Sequence, residues 1–189
     1  MKTIIACDIH GIHAELRALC APLGEALTFL SPWEGEGCPF ASEALAHQAL
    51  IAERGIETYA DRIAECAAGE PVFLIAFSVG ATAAWLHACS GEAHPESAAV
   101  LFYGSRIREH AQRVPKFPVE AIFAEREASF EPAALVAALK RERVRCAIVP
   151  GTAHGFMNPC SVNFVPDLAD RWVGEIGKRL DAWSAHQGL

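Results

Sequence analysis

The sequence predicts an α/β fold: a three-layer α/β/α sandwich, one domain over residues 1–189, with a parallel sheet of about six strands in the order 2-1-3-4-5-6. Three observations predict it. Short apolar, β-branched runs alternate with helical stretches along the whole chain. Nearly every such run is apolar on both faces, as strands covered by helices on either side must be. No linker, internal repeat or composition shift divides the 189 residues, which suffice for one substantial core.

The elements follow in order. Lys2 to Cys7 is a short buried strand, and Ile12 to Leu23 carries Ala, Leu and Arg at helical spacing until Pro22 and Gly24. Ala26 to Leu30 is a second strand, and SPWEGEGCPFAS is a loop rich in Pro and Gly. Ser42 caps a long helical region reaching Ala68 and disturbed at Gly55. Val72 to Phe77 is the third strand, with a helix from Val79 to Ser90. Ser97 to Tyr103 and Val119 to Ala124 are the fourth and fifth strands, Glu131 to Arg141 a helix, and Arg145 to Val149 the sixth strand. Asp167 to Ala185 closes the chain as an amphipathic helix.

Composition bounds the function. The chain is 52% hydrophobic and 21% charged, which is globular. A net charge of -7 and a pI of about 5.6 give no general pull toward nucleic acid or anionic lipid. No apolar run is long enough to span a bilayer. The first residues reach Asp8 and His10 too early for a signal peptide. Seven cysteines, an odd number without paired spacing, read as free thiols of a cytoplasmic protein.

In a parallel sheet the ligand site lies at the carboxyl ends of the strands, so chemical residues are expected just after them. Ser78 fits. In AFSVGA it ends the third strand and opens a helix, with small residues on both flanks, one step from the G-x-S-x-G nucleophile elbow. A tight turn strains the serine backbone and brings the neighbouring strand and helix close to the flanks. The hydroxyl then stands at a helix N-terminus, where the Val79 N–H can receive an oxyanion. The competing reading is an ordinary N-cap serine. A serine needs a base, which the motif order puts last. His154, in VPGTAHGFMNP just past the sixth strand, satisfies both order and position. The acid belongs after the fifth strand, where Glu125, Glu127 and Glu131 are all available.

The segments DIHG (8–11), AFSVGA (76–81), LFYG (101–104), IFAEREASF (122–130) and PGTAHGFMNP (150–159) together resemble the dienelactone hydrolase branch of the α/β-hydrolase fold. The resemblance implies a minimal α/β-hydrolase without a lid domain, whose first strand takes the place of the full fold's third. It implies Ser78 as nucleophile and His154 as base. The family's Phe-Gly-x-x-Asp signature, laid on Phe123-Ala124-Glu125-Arg126-Glu127, places the acid at Glu127. A second oxyanion N–H falls on Ile9, and Asp8 takes the place of an acidic residue near the nucleophile. The implied activity is hydrolysis of a small ester, thioester or lactone through an acyl-enzyme on Ser78. Three departures stand out: Ser replaces the family's Cys, Glu replaces Asp, and Met157, Asn158 and Pro159 stand where a substrate-carboxylate arginine is expected.

Other residues carry weaker signals. Trp33, Phe40 and Tyr103 follow strands and, with His10 in the turn after the first, are candidates to line the pocket. Cys7, Asp8, His10 and His13 lie within seven residues, but strand alternation separates them, so no metal is expected. Cys160 is read as an ordinary thiol, and Arg106 and Arg108 as solvated surface. No cofactor is expected, since neither G-x-x-x-x-G-K-[ST] nor G-x-G-x-x-G is present. The expected partner is a small-molecule substrate, with no nucleic acid or membrane and with a homodimer left open. Two rivals remain: a flavodoxin-like cofactor-binding module, and a non-catalytic binding protein on a hydrolase scaffold.

Overall fold

A computed structural model of the chain describes residues 2–52 and 55–187. The strands are β1 (Lys2–Ala6), β2 (Leu27–Leu30), β3 (Val72–Phe77), β4 (Ala98–Phe102), β5 (Val119–Arg126) and β6 (Val144–Ala153). All neighbours pair in parallel, in the order β2-β1-β3-β4-β5-β6. The helices are α1 (Ala14–Cys20), α2 (Glu43–Ala52), α3 (Gly55–Ala67), α4 (Val79–Ala88), α5 (Pro132–Leu139) and α6 (Pro166–His186). The expected sheet order and strand count are therefore those observed.

Period-2 alternation sorts each strand between two cores. Ile4, Leu74, Ala76, Leu101 and Phe123 face the layer of α2, α3, α4 and α5. Ile5, Phe73, Ile75, Phe77, Phe102 and Ile122 face α1 and α6. β3 is buried at every residue because it lies inside the sheet with helices on both sides. The helix that follows it, α4, is likewise buried along its whole length. α3 shows the opposite pattern: Ile56, Tyr59, Ala60, Ile63 and Ala67 make one buried stripe at helical spacing.

Two differences from the sequence reading go beyond a residue or two at an element's end. The helical region expected from Ser42 to Ala68 comprises two helices, with Gly55 opening the second, and residues 53 and 54 lie outside the described residues. The sixth strand runs on past Val149 to Ala153, because β5 and β6 change register. Ala124 pairs with Val149, whereas Arg126 pairs with Ala153. The additional β6 residues bulge around Gly151, whose φ of 76° is in the left-handed region that favours glycine. Among the described residues, no helix is long and apolar enough to cross a membrane.

The β3–α4 crossing is tight. A Cβ on Gly80 would sit 2.3 Å from the Ala6 carbonyl oxygen and 2.5 Å from that of Cys7, both on backbone that cannot swing aside. Gly80→Ala is expected to destabilise the fold by about 2–3 kcal/mol, as overpacking does. For a chain of this size that lowers Tm by roughly 5–10 °C, readable by thermal denaturation.

Candidate active site

The β3–α4 turn forces Ser78 into φ 50°, ψ -112°, a region that L-residues avoid at a cost of roughly 1–3 kcal/mol. Its N–H donates to the Phe102 carbonyl of the adjacent β4 at 2.9 Å, which fixes the turn. Ser78 occupies the N-cap position of α4, yet its side chain makes no capping hydrogen bond. The hydroxyl instead meets His154, with Oγ 3.0 Å from Nε2. That contact removes the ordinary N-cap reading of this serine.

The other imidazole nitrogen, Nδ1, is 2.8 Å from Glu127 Oε2. Ser78, Glu127 and His154 follow β3, β5 and β6, each directly past the end of its strand. The sheet order brings together three residues that are distant in sequence. The Glu127 carboxylate is only 2% exposed, and its second oxygen, Oε1, is buried without a hydrogen-bond partner. The three glutamates left open by chain order each have a different partner. Glu125 accepts the Gly151 N–H at 3.0 Å, and Glu131 caps α5 by accepting the Ala133 N–H. Arg126 donates to the Gly151 carbonyl at 3.1 Å. Glu125 and Arg126 thus grip the β6 bulge from both sides of its peptide, while Glu127 turns inward to the imidazole.

A cavity of about 550 Å³ opens over these residues. Ile9, His10, Ser78, Val79, Arg106 and Asn163 are among its lining. Val79 is the first residue of α4, where the backbone N–H has no intrahelical acceptor. Among the described residues, the Ile9 N–H also has no hydrogen-bond acceptor within the fold. Both amides are therefore available to a ligand oxygen. Asp8 lines the same cavity, 7% exposed, and accepts the His10 N–H at Oδ1. Burial pushes its carboxyl pKa up, partly offset by His10, His13 and His154 nearby.

Three residues expected to line the pocket, Trp33, Phe40 and Tyr103, do not. Trp33 is buried against Phe40, and its indole N–H donates to the Ile9 carbonyl at 2.7 Å, so it holds the loop that borders the cavity. Tyr103 is fully buried beneath the site, with a φ of 41° and its ring edge-on to His154 at 5.0 Å. All three were expected at the surface of the cavity because their loops follow strands, but Trp33 and Tyr103 turn their rings inward and Phe40 packs on Trp33. Arg106 departs in the other direction. It lines the cavity while its guanidinium bonds Glu109 at 2.7 Å. Arg108 remains outside, over the Phe130 ring.

The Cys7, Asp8, His10 and His13 group disperses. The Cys7 thiol is buried and its pKa raised by desolvation, whereas His13 caps α1 by accepting the Leu16 N–H. Missed by sequence reasoning was Asn158. It is 4% exposed, and its Nδ2 donates to Asp8 Oδ2 at 2.6 Å. Its place four residues after His154, where the family expects arginine, was the one available signal.

Comparison with known proteins gives consistent results. Residues 46–172 match the dienelactone hydrolase family. A curated relative, the uncharacterized protein YczH of Bacillus subtilis (strain 168), is 33% identical over 171 residues, covering 85% of this chain and 83% of that one. Among solved structures, a candidate dienelactone hydrolase from Klebsiella pneumoniae subsp. pneumoniae MGH 78578 superposes with a TM-score of 0.70 at 18% identity, covering 97% of this chain and 85% of the other. The dienelactone hydrolase-like promiscuous phosphotriesterase P91, from metagenomic libraries, gives 0.66 at 16% identity, with 97% and 85% covered.

The Tyr103 hydroxyl lies by the Met157 amide but makes no well-aligned hydrogen bond. Tyr103→Phe removes an unsatisfied buried group and keeps the ring against His154. Thermal unfolding is expected to show a Tm equal to or above that of the wild type. A loss beyond about 1 kcal/mol would mean that the hydroxyl is bonded.

Proposed function

The chain belongs to the dienelactone hydrolase family of α/β-hydrolases, and from that premise we propose that it is a serine hydrolase cleaving a small ester, thioester or lactone through an acyl-enzyme on Ser78. The observation that carries this reading is the continuous hydrogen-bond chain from Ser78 Oγ through the His154 ring to Glu127. With Glu127 ionised, Nδ1 carries the proton and Nε2 presents its lone pair to the serine. That is the tautomer a general base requires.

His154 Nε2 takes the Ser78 proton as Oγ bonds to the substrate carbonyl carbon. The carbonyl oxygen becomes an oxyanion received by the N–H groups of Ile9 and Val79, two donors left free in the fold. The tetrahedral centre collapses, the bond to the leaving oxygen or sulfur breaks, and His154 returns its proton to that atom. Water then attacks the acyl-serine, again giving a proton to His154, and this proton passes to Ser78 Oγ as the acid departs. Glu127 stays ionised throughout, orienting the ring and stabilising the imidazolium.

The substrate reading is supported by the cavity. Its volume of about 550 Å³ suits a small ligand, and Ser78 is among its lining. All seven cysteines are free thiols, which suits the reducing cytoplasm.

A fluorophosphonate probe is expected to label Ser78 alone, as read by peptide mass analysis. Ser78→Ala is expected to abolish both labelling and turnover of p-nitrophenyl acetate. Glu127→Gln keeps the shape but forces the wrong tautomer or leaves it unsupported, and kcat is expected to fall on the order of 10⁴-fold. Labelling elsewhere, or full activity without Ser78, overturns the reading. A panel of short-chain p-nitrophenyl esters, acyl-CoA thioesters and lactones then separates the substrate classes by kcat/KM.

A further inference from the structure

We propose that Asp8 and Asn158 are positioning residues: their buried hydrogen bond ties the loop bearing the Ile9 amide to the loop bearing His154, so that oxyanion donor and base keep their mutual geometry. The proposal rests on the serine-hydrolase reading above.

The need for such a tie follows from the topology. Ile9 leaves the end of β1 and His154 the end of β6, and three strands separate these in the sheet. No ladder hydrogen bond can relate them. The Asp8 to Asn158 bond, at 2.6 Å across 150 residues, spans that gap directly. Both partners are buried, at 7% and 4% exposure. Among the described residues, the other polar contact between these loops is the exposed Cys160 sulfur, 3.6 Å from the His13 ring.

The bond also has a fixed sense. The Cys160 N–H donates to Asn158 Oδ1 at 2.8 Å, so the amide group Nδ2 must face Asp8. Asp8 receives that donor at Oδ2 and the His10 N–H at Oδ1. Every partner of the carboxylate is therefore a donor, which suits an ionised group and no neutral isostere. Asp8 is the residue next to Ile9, and Asn158 lies one turn of chain past His154, with its own N–H bonded to the Gly155 carbonyl at 2.8 Å. Displacing either end moves the amide or the imidazole relative to the Ser78 oxygen.

This polarity yields a discriminating variant. In Asp8→Asn, one amide NH₂ is forced against a donor. In Asn158→Ala, the carboxylate loses a partner in a buried site. In the exchange Asp8→Asn with Asn158→Asp, every bond is restored with the central one reversed: residue 8 donates to residue 158, which still accepts the Cys160 N–H. A charge required at position 8 itself would not be rescued by this exchange, whereas a tie between loops would.

The test measures kcat and KM for p-nitrophenyl acetate, the rate of fluorophosphonate labelling at Ser78, and hydrogen–deuterium exchange over residues 8–12 and 155–160. Each single variant is expected to lose about 100-fold in kcat, the scale of a small misplacement of reacting groups, with KM changed far less. Exchange should quicken in both segments together, and the double exchange should recover kcat to within about tenfold of wild type. Single variants within about threefold of wild type, or a double variant no better than the singles in activity or folding, overturn the proposal. If wild-type protein is neither labelled nor active, the serine-hydrolase reading fails instead, and deuterium exchange alone decides the tie. Joint loosening of the two segments reversed by the exchange supports it, and unaltered exchange overturns it.

Discussion

The strained backbone of Ser78 is the constraint on which the site depends. A residue at φ 50°, ψ -112° does not hold that conformation by itself. It is held because β1 and β4 flank β3 and leave no other path. The Phe102 carbonyl captures the Ser78 N–H from one side, and the Ala6 and Cys7 carbonyls press on Gly80 from the other. The fully buried α4 anchors the helical half of the turn. Two consequences follow from one distortion. The hydroxyl is lifted away from the capping role it would otherwise take, and the Val79 amide is left without an intrahelical acceptor.

The acid side of the site depends on a second irregularity, the register change between β5 and β6. That change sets the height at which the chain leaves β6, directly before His154. The bulge at Gly151 resets that height, and Glu125 and Arg126 clamp it through its amide and carbonyl. Consecutive residues thus divide the work: two shape the β6 exit, and the next reaches His154. A glutamate in place of the family's aspartate is accommodated there, since the longer side chain still delivers one oxygen to Nδ1 at 2.8 Å.

What could be read from the sequence was whatever periodicity and strand-end position control. Alternating apolar runs predicted the sheet, and the flanks of Ser78 and the glycine-rich setting of His154 predicted their meeting. Features decided by side-chain direction were not legible. Trp33 and Tyr103 follow strands as a pocket residue would, yet both rings turn inward to support Ile9 and His154. Arg106 has the composition of a solvated loop residue, and only the fold brings it to the cavity. The three glutamates are indistinguishable by spacing because all lie near the same strand end. Their roles are set by the β6 bulge and the start of α5. Asn158 was least accessible, since its importance comes from a partner at the opposite end of the chain.

Two buried carboxylates border the site, and one of them, Glu127, contacts the imidazole. Glu127 contacts Nδ1 and keeps one oxygen without a partner, a costly arrangement for an ion out of water. Asp8 is also buried, and that burial pushes its carboxyl pKa up. In the proposed mechanism the ring takes a proton from Ser78, and both carboxylates then gain an opposite charge in a medium of low dielectric. The gain is realised when charge develops and is largely absent before it, which is the condition for lowering a barrier instead of tightening ground-state binding. In the proposed mechanism, proton transfer to His154 offsets the unfavourable burial of the two acids.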